Sequence, residues 1–232
     1  MKRVTTRNYF KIKTSPLCGR KGNDMNKRDK GILVGMILGD GYLRCRKDNR
    51  CKNYVQNSII MKHCIKQKEY LEFKADLLHS IFGGKKPNVI ECDNSGYPAC
   101  RTSKTNKYFK ILYDLLYPNG KKTITREALN YLNPLGLAIW YMDDGCLSAK
   151  KRNGKIHSYD LILNTYISYE DNQIIVDYFK EVWDVQFTIV KDKGKTRIRC
   201  GTREARKFIE IVKPYIVPCM QYKINISYPK SK

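Results

Sequence analysis

Residues 33–41 read LVGMILGDG and residues 137–145 read LAIWYMDDG, so two apolar segments end on an Asp-Gly pair at an offset of 104. The correspondence continues downstream in order. YVQNS (54–58) resembles LILNT (161–165), which pairs Asn57 with Asn164. IKQKEYLEFKADLLHSIF (65–82) and SYEDNQIIVDYFKEVW (168–183) both carry apolar residues at helical spacing, the second with an N-cap signal at Ser168. ILYDLLYPNGKKTI (111–124) resembles IVKPYIVPCMQYKI (211–224), where Pro118 and Pro218 match and are followed by Lys122 and Lys223. The chain is therefore a duplication of a helix–strands–helix–strands–helix unit of about a hundred residues. The halves are expected at 29–128 and 129–232, behind a basic arm at 1–28.

Between the helical patterns the period changes to two. In GYLRCR (41–46), Tyr42, Arg44 and Arg46 alternate with Leu43 and Cys45; in TRIRCG (196–201), Arg197 and Arg199 alternate with Ile198 and Cys200. Turn dipeptides join the strands at Ser95-Gly96, Asn153-Gly154 and Lys193-Gly194. The expectation is antiparallel ribbons with an apolar back and a basic front. Further charge lies on the ribbons and loops at Lys47, Arg50, Lys52, Arg101, Lys104, Lys150, Lys151, Arg152, Lys155, Lys191, Lys193 and Lys195.

That charge decides the partner class. Lys and Arg number 45 against 22 acids, a formal net charge of +23 in 232 residues. Such an excess repels itself in a compact fold unless a polyanion sits against it, and nucleic acid is the default polyanion for a basic domain. A two-stranded ribbon fits the major groove, where Arg reads guanine. An acidic membrane is the competing partner, but membrane-seeking segments are usually short amphipathic helices. The longest apolar run, near 31–39, is too short to cross a bilayer. Nine cysteines without a C-x-x-C pair point away from a zinc knuckle or a secreted disulfide framework and toward free thiols in a reducing, intracellular compartment. His63, His79 and His157 form no ligand spacing. The first 30 residues carry ten Lys or Arg and only Asp24 and Asp29 as acids, which suits either a basic arm or an organelle-targeting segment.

Against this background the two aspartates stand out. Helices over 31–40 and 134–144 would each end on a carboxylate, where the helix dipole disfavours an anion by roughly 0.3–1 kcal/mol. Small residues line both helices, Gly31, Gly35 and Gly39 in the first, Gly136 and Ala138 in the second, and permit close backbone approach. Packed side by side, the helices would bring Asp40 and Asp144 together at one end. A divalent cation relieves the repulsion, and hard oxygen ligands suit Mg²⁺. Asp143, whose counterpart is Gly39, is then a solvent-facing or supporting residue.

The ordered set GMILGDGYLR, KKTI, YLNPLGLAIWYMDDG, LILNT and KPYIVPCMQYK resembles the two-motif, monomeric LAGLIDADG homing endonucleases from about residue 29 to 224. The resemblance implies an α+β fold of two pseudo-symmetric αββαββα halves, a central two-helix interface and a β-saddle on the DNA major groove. It implies a monomer that hydrolyses both strands of a long double-stranded DNA target with Mg²⁺, with Mn²⁺ substituting and Ca²⁺ binding without turnover, in the service of intron mobility. Asp40 and Asp144 match the metal-holding acids, with the backbone carbonyls of Gly39 and Asp143 as further ligands, and Lys122 and Lys223 match the basic residues near the catalytic centres. Relatives add a polar residue on the following strands; here the candidates are Gln56, Asn57, Asn164 and Asp192. An RNA maturase acting on intron RNA, or an inactive DNA-binding regulator, would use the same fold. Retention of both aspartates and both lysines favours the nuclease, and no H-N-H or G-I-Y/Y-I-G set points to another nuclease class.

Overall fold

The computed structural model describes residues 25–47 and 55–226. The first half runs α1 (Lys27–Leu38), β1 (Tyr42–Lys47), β2 (Val55–Cys64), α2 (Lys68–Phe82), β3 (Ile90–Asn94), β4 (Tyr97–Thr105) and α3 (Phe109–Leu116). A short α4 (Arg126–Leu129) leads to the second half: α5 (Pro134–Asp144), β5 (Gly145–Arg152), β6 (Lys155–Ile167), α6 (Tyr169–Trp183), β7 (Thr188–Asp192), β8 (Lys195–Gly201) and α7 (Thr202–Val212). Each half holds one antiparallel four-stranded sheet, ordered β1-β2-β4-β3 and β5-β6-β8-β7. The duplication read from the sequence is thus a duplication of αββαββα topology. No helix among the described residues is long and apolar enough to cross a membrane.

The central helices α1 and α5 pack along one another and are apolar on every side over 31–38 and 135–142. Ile32, Leu33, Val34, Met36 and Ile37 in α1 and Leu137 to Met142 in α5 are all buried, as expected of helices enclosed by protein. Asn caps start both helices: Asn26 accepts from the Asp29 N–H (2.7 Å) and Asn133 from the Gly136 N–H (2.8 Å). The Asn133 amide also donates to the Arg28 carbonyl at 2.8 Å, tying the start of α5 to α1. Glycine sets the spacing. A Cβ on Gly35 would lie 2.6 Å from both the Cα and carbonyl carbon of Gly136, and one on Gly39 would collide with the Asp143 carboxylate.

Strand alternation gives each sheet a back and a front. Leu43, Ile59 and Met61 back the first sheet, and Leu161, Leu163, Ile198 and Cys200 the second, all buried. Helix α2 covers the first back with Tyr70, Leu71, Leu78 and Ile81. Helices α6 and α7 cover the second with Ile175, Phe179, Phe208 and Val212. The predicted hairpins close on type I′ geometry, with positive φ at Ser95-Gly96, Asn153-Gly154 and Lys193-Gly194. The Ser168 side chain caps α6 through the Asp171 N–H (3.0 Å).

One alignment changes. With Gly41 set on Gly145, the ladders pair Tyr42 with Ile60 and Cys146 with Ile162. Position 60 therefore answers to 162, Asn57 to Tyr159, and Asn164 to Lys62, rather than Asn57 to Asn164. The repeated Asn misleads because β6 is three residues longer than β2 and its pairing with β8 is interrupted between Leu163 and Ile167.

Candidate active site

The sequence of α1 and α5 places no basic residue in the last turn of either helix. Distant segments supply them. The Lys122 ammonium, from the stretch after α3, donates to the carbonyls of Leu38 (2.8 Å) and Gly39 (3.2 Å). The Lys223 ammonium, from the 3-10 turn 218–223, donates to the carbonyls of Met142 and Asp143. The accepting carbonyls are equivalent under the 104-residue offset, and each contact sets a cation where the helix dipole is negative. Burial pulls both lysines below their ordinary pKa, opposed by the three aspartates.

Asp40 follows α1 with its side chain 43% exposed. Burial of part of the carboxyl and the neighbouring Asp143 raise its pKa against the opposing pull of Lys74, Lys223 and Lys122. Asp144 closes α5. Burial, Asp143 and Asp40 push it up to about 7, against Lys122 and a hydrogen bond from the Trp140 indole N–H (3.2 Å). Asp40 disfavours the charge of Asp144, and Asp143 that of both, so the two carboxylates offer hard oxygen donors that a divalent cation would neutralise, and the residues present fit such an ion. The Gly39 and Asp143 carbonyls proposed as additional ligands hold lysine ammoniums here, and a carbonyl retains a second lone pair.

Asp143 does not face solvent. Its side chain is fully buried, with both oxygens on the Lys74 ammonium (2.6 and 2.8 Å) and one accepting from the Tyr70 hydroxyl (2.9 Å). The other accepts the Asp40 backbone N–H at 3.0 Å. Lys74 also contacts His63 Nε2 (3.1 Å), whose Nδ1 meets Gln67 Oε1 (3.1 Å) and lies 3.6 Å from Asp40 Oδ2. Burial and Lys74 lower His63 to about 4. Donor atoms of Asp40, His63 and Asp143 lie within 4.8 Å of one another. The Asp143 carboxylate there already carries a cation, the Lys74 ammonium. Sequence reasoning missed Lys74, Tyr70 and His63. A readable signal existed: Lys74 occupies the apolar face of α2 between Tyr70, Leu71, Ala75 and Leu78, and His63 follows Ile59 and Met61 in the inward alternation of β2.

The remaining candidates divide. Asn164 donates to the Asp144 carbonyl (3.0 Å) and accepts from Arg197 (3.1 Å), which also pairs with Asp192 (3.2 Å). Asn57 is buried and accepts from the Cys45 thiol, its carbonyl taking the Asn106 N–H. Gln56 is exposed. On the front of the second sheet, Asp160 holds Arg199 (3.1 Å) and Lys150 (3.3 Å), so its basic side chains are oriented before any ligand arrives. Arg44 and Arg101 lie on the front of the first sheet beside exposed Tyr42, Ile90 and Tyr97. Lys151, Arg152, Lys155, Lys193 and Lys195 gather at the hairpin ends of the second sheet. Lys104 and Lys191 alternate to the opposite face, and Lys104 caps the end of α2 through the carbonyls of Gly83 (2.9 Å) and Lys85 (3.0 Å). Arg50 and Lys52 lie outside the described residues, as do the side chains of Arg46 and Lys47.

Comparison with known proteins agrees with this arrangement. The LAGLIDADG DNA endonuclease family matches residues 30–208. The probable intron-encoded DNA endonuclease 3 of Mycosarcoma maydis is 36% identical over 126 residues, covering 52% of this chain and 88% of that protein. The chain spans about half the length of two further curated relatives. Protein RecA of Mycolicibacterium chitae is 29% identical over 204 residues (83% of this chain, 45% of that one). The cytochrome b mRNA maturase bI2 of Saccharomyces cerevisiae is 27% identical over 234 residues (87% and 48%). Among solved structures, the homing endonuclease I-WcaI bound to its DNA recognition sequence superposes with a TM-score of 0.71 at 26% identity, over 88% of each chain.

Proposed function

Because the chain belongs to the LAGLIDADG DNA endonuclease family, we propose that it is a site-specific endonuclease that cuts both strands of a long DNA target, with intron mobility as its biological role. The observation that carries this is the matched pair of helix ends, each presenting one carboxylate and one lysine to the same end of the central helix pair. A pure binder has no use for repelling carboxylates between lysines, whereas hydrolysis at two phosphates needs one charged centre for each. The fronts of both sheets would lie on the major groove, with Arg44, Arg101, Arg197 and Arg199 toward the bases and Lys150, Lys151, Arg152, Lys155 and Lys195 toward the backbone.

Asp40 and Asp144 would hold the divalent ion, Mg²⁺ in our reading with Mn²⁺ able to replace it. When bound, the ion supplies Lewis-acid stabilisation and lowers the pKa of attacking water. The chain does the rest. The aspartates at the helix ends fix where the scissile phosphates rest, and Lys122 and Lys223 offer ammonium donors to charge that develops there. Trp140 and Asn164 hold Asp144 by its side chain and its carbonyl.

Selection of cleaved sites from a randomised DNA library tests the reading. Wild type should enrich one long site in Mg²⁺, bind it without turnover in Ca²⁺, and lose cutting but not binding on Asp144→Asn. Cutting that persists in EDTA or in Asp144→Asn would overturn it. The similarity to an mRNA maturase supports a second reading, splicing assistance. Tight binding to an intron RNA with no enriched DNA site would favour that role.

A further inference from the structure

The catalytic carboxylates obey the pseudo-two-fold, but what holds them does not. Around Asp40 runs an unbroken relay: Gln67 to His63, His63 to Lys74, Lys74 to Asp143, and Asp143 to the Asp40 backbone N–H. Its hydrogen bonds are complete at the centre. The Lys74 ammonium spends its three protons on Asp143 Oδ1, Asp143 Oδ2 and His63 Nε2, and the Tyr70 hydroxyl supplies the remaining donor to the carboxylate. A buried ion pair held this well is costly to break, because either charge left alone is stranded away from water.

Among the described residues, the second half contains no copy of it. Asp143 answers to Gly39 at the 104-residue offset, and its carboxylate occupies the place where a side chain on Gly39 would lie. Equal-length α2 and α6 align Lys74 with Ile175, a buried aliphatic, and Tyr70 with Asp171. The strand registers align His63 with Thr165, which bonds Asn172 instead. At Asp144 the supports are Trp140 on the side chain and Asn164 on the carbonyl, and among the described residues no ammonium bonds its carboxylate.

We propose that Lys74, His63 and Tyr70 are positioning residues that act through Asp143 on Asp40 alone, so that the two strand-cutting centres are chemically inequivalent and separable by mutation. The inference rests on the endonuclease reading for its consequence, though not for its geometry. Lys74 touches neither phosphate nor ion in this scheme. It fixes the Asp143 carboxylate, which fixes the turn that carries Asp40.

Two measurements test it. Amide hydrogen exchange reads the relay without any cleavage: the Asp40 N–H is protected in wild type and exchanges freely in Lys74→Met. Strand-resolved cutting of a doubly end-labelled target reads the consequence. A displacement near 1 Å costs on the order of 10²-fold in rate, so Lys74→Met should slow one strand by about that factor and let nicked product accumulate. Lys122→Met and Lys223→Met should each slow one strand, and Lys74→Met should share its slowed strand with only one of them. The double variant Lys74→Met/Asp143→Asn removes both buried charges while the new amide oxygen still accepts the Asp40 N–H; exchange protection and strand balance should return. Tyr70→Phe, which deletes one donor, should show the same strand bias in weaker form and serves if Lys74→Met does not fold. Equal slowing of both strands, an unprotected wild-type amide, or a double variant as biased as Lys74→Met would overturn the proposal. A wild-type chain that cuts no DNA would instead overturn the endonuclease reading, leaving the exchange result to judge the relay.

Discussion

Gly35→Ala adds a single methyl where α1 crosses α5, and its cost can be worked from the packing. The new Cβ would sit 2.6 Å from the Cα and carbonyl carbon of Gly136. Ordinary contact begins at 3.4 Å, so the two backbones must part by at least the difference, about 0.8 Å. No rotamer change can relieve the clash, since the obstacle is main chain. Overpacking of a filled interior costs typically about 1–3 kcal/mol, and the upper end applies here; the better helix propensity of Ala returns about 1 kcal/mol. The net loss is about 2 kcal/mol, which for a chain of this size lowers the melting temperature by roughly 4–8 °C. Urea denaturation gives the free energy, and strand cutting gives the functional readout, since the two aspartates proposed as catalytic lie at the ends of the displaced helices. Gly136→Ala attacks the same crossing from the other side, against the Gly31 carbonyl. Once the helices have parted the second methyl costs less, so the double variant should lose at least about 0.5 kcal/mol less than the sum. A Gly35→Ala protein within about 0.5 kcal/mol of wild type, or a strictly additive double variant, would refute the close-contact argument.

Three further outcomes are expected. In EDTA the stability of the wild type relative to Asp144→Asn should fall as pH rises from about 4 toward 7, because the Asp144 pKa is raised to about 7 in the folded state and its carboxyl holds a proton there that the unfolded chain has lost. His63, lowered to about 4, acts in the opposite sense in both proteins and cancels in the difference; a divalent ion should reverse the trend in thermal melts above pH 7, and a pH-flat difference would count against the coupled carboxylates. Asn172→Ala should cost about 2 kcal/mol in urea denaturation, since it strands the Thr165 hydroxyl that donates to the buried amide oxygen at 2.6 Å and removes the amide donor to Thr196 Oγ1 at 2.9 Å. Arg199→Ala should relax a guanine preference at one position of the selected site by about 1–3 kcal/mol, and an unchanged sequence profile would remove Arg199 from the base-reading set.

Much of this was open to reading in the chain itself. Helix 169–183 declares itself by period and by Ser168, which caps as expected, and helix 134–144 by its apolar run. The turns at 95–96, 153–154 and 193–194 follow from residues that tolerate positive φ. These are local preferences, expressed by a few neighbouring residues wherever the segment lies. The register of β2 against its neighbours was not legible in this way, because the repeated Asn competes with a difference in strand length that no short window contains. Nor was the fate of Lys104, since one step of alternation turns a candidate DNA contact into a helix cap.

The carboxylates mark the same boundary. The repeat alone identified Asp40 and Asp144 as counterparts, because a duplicated backbone carries equivalent positions to equivalent places. It could not say what Asp143 does, since Asp143 has no counterpart and its partner lies 69 residues away in the other half. Only the docking of α2 against the end of α5 makes an ion pair of Lys74 and Asp143. A buried charge takes its partner from whatever the tertiary fold places within hydrogen-bond reach, and sequence distance carries no information about that.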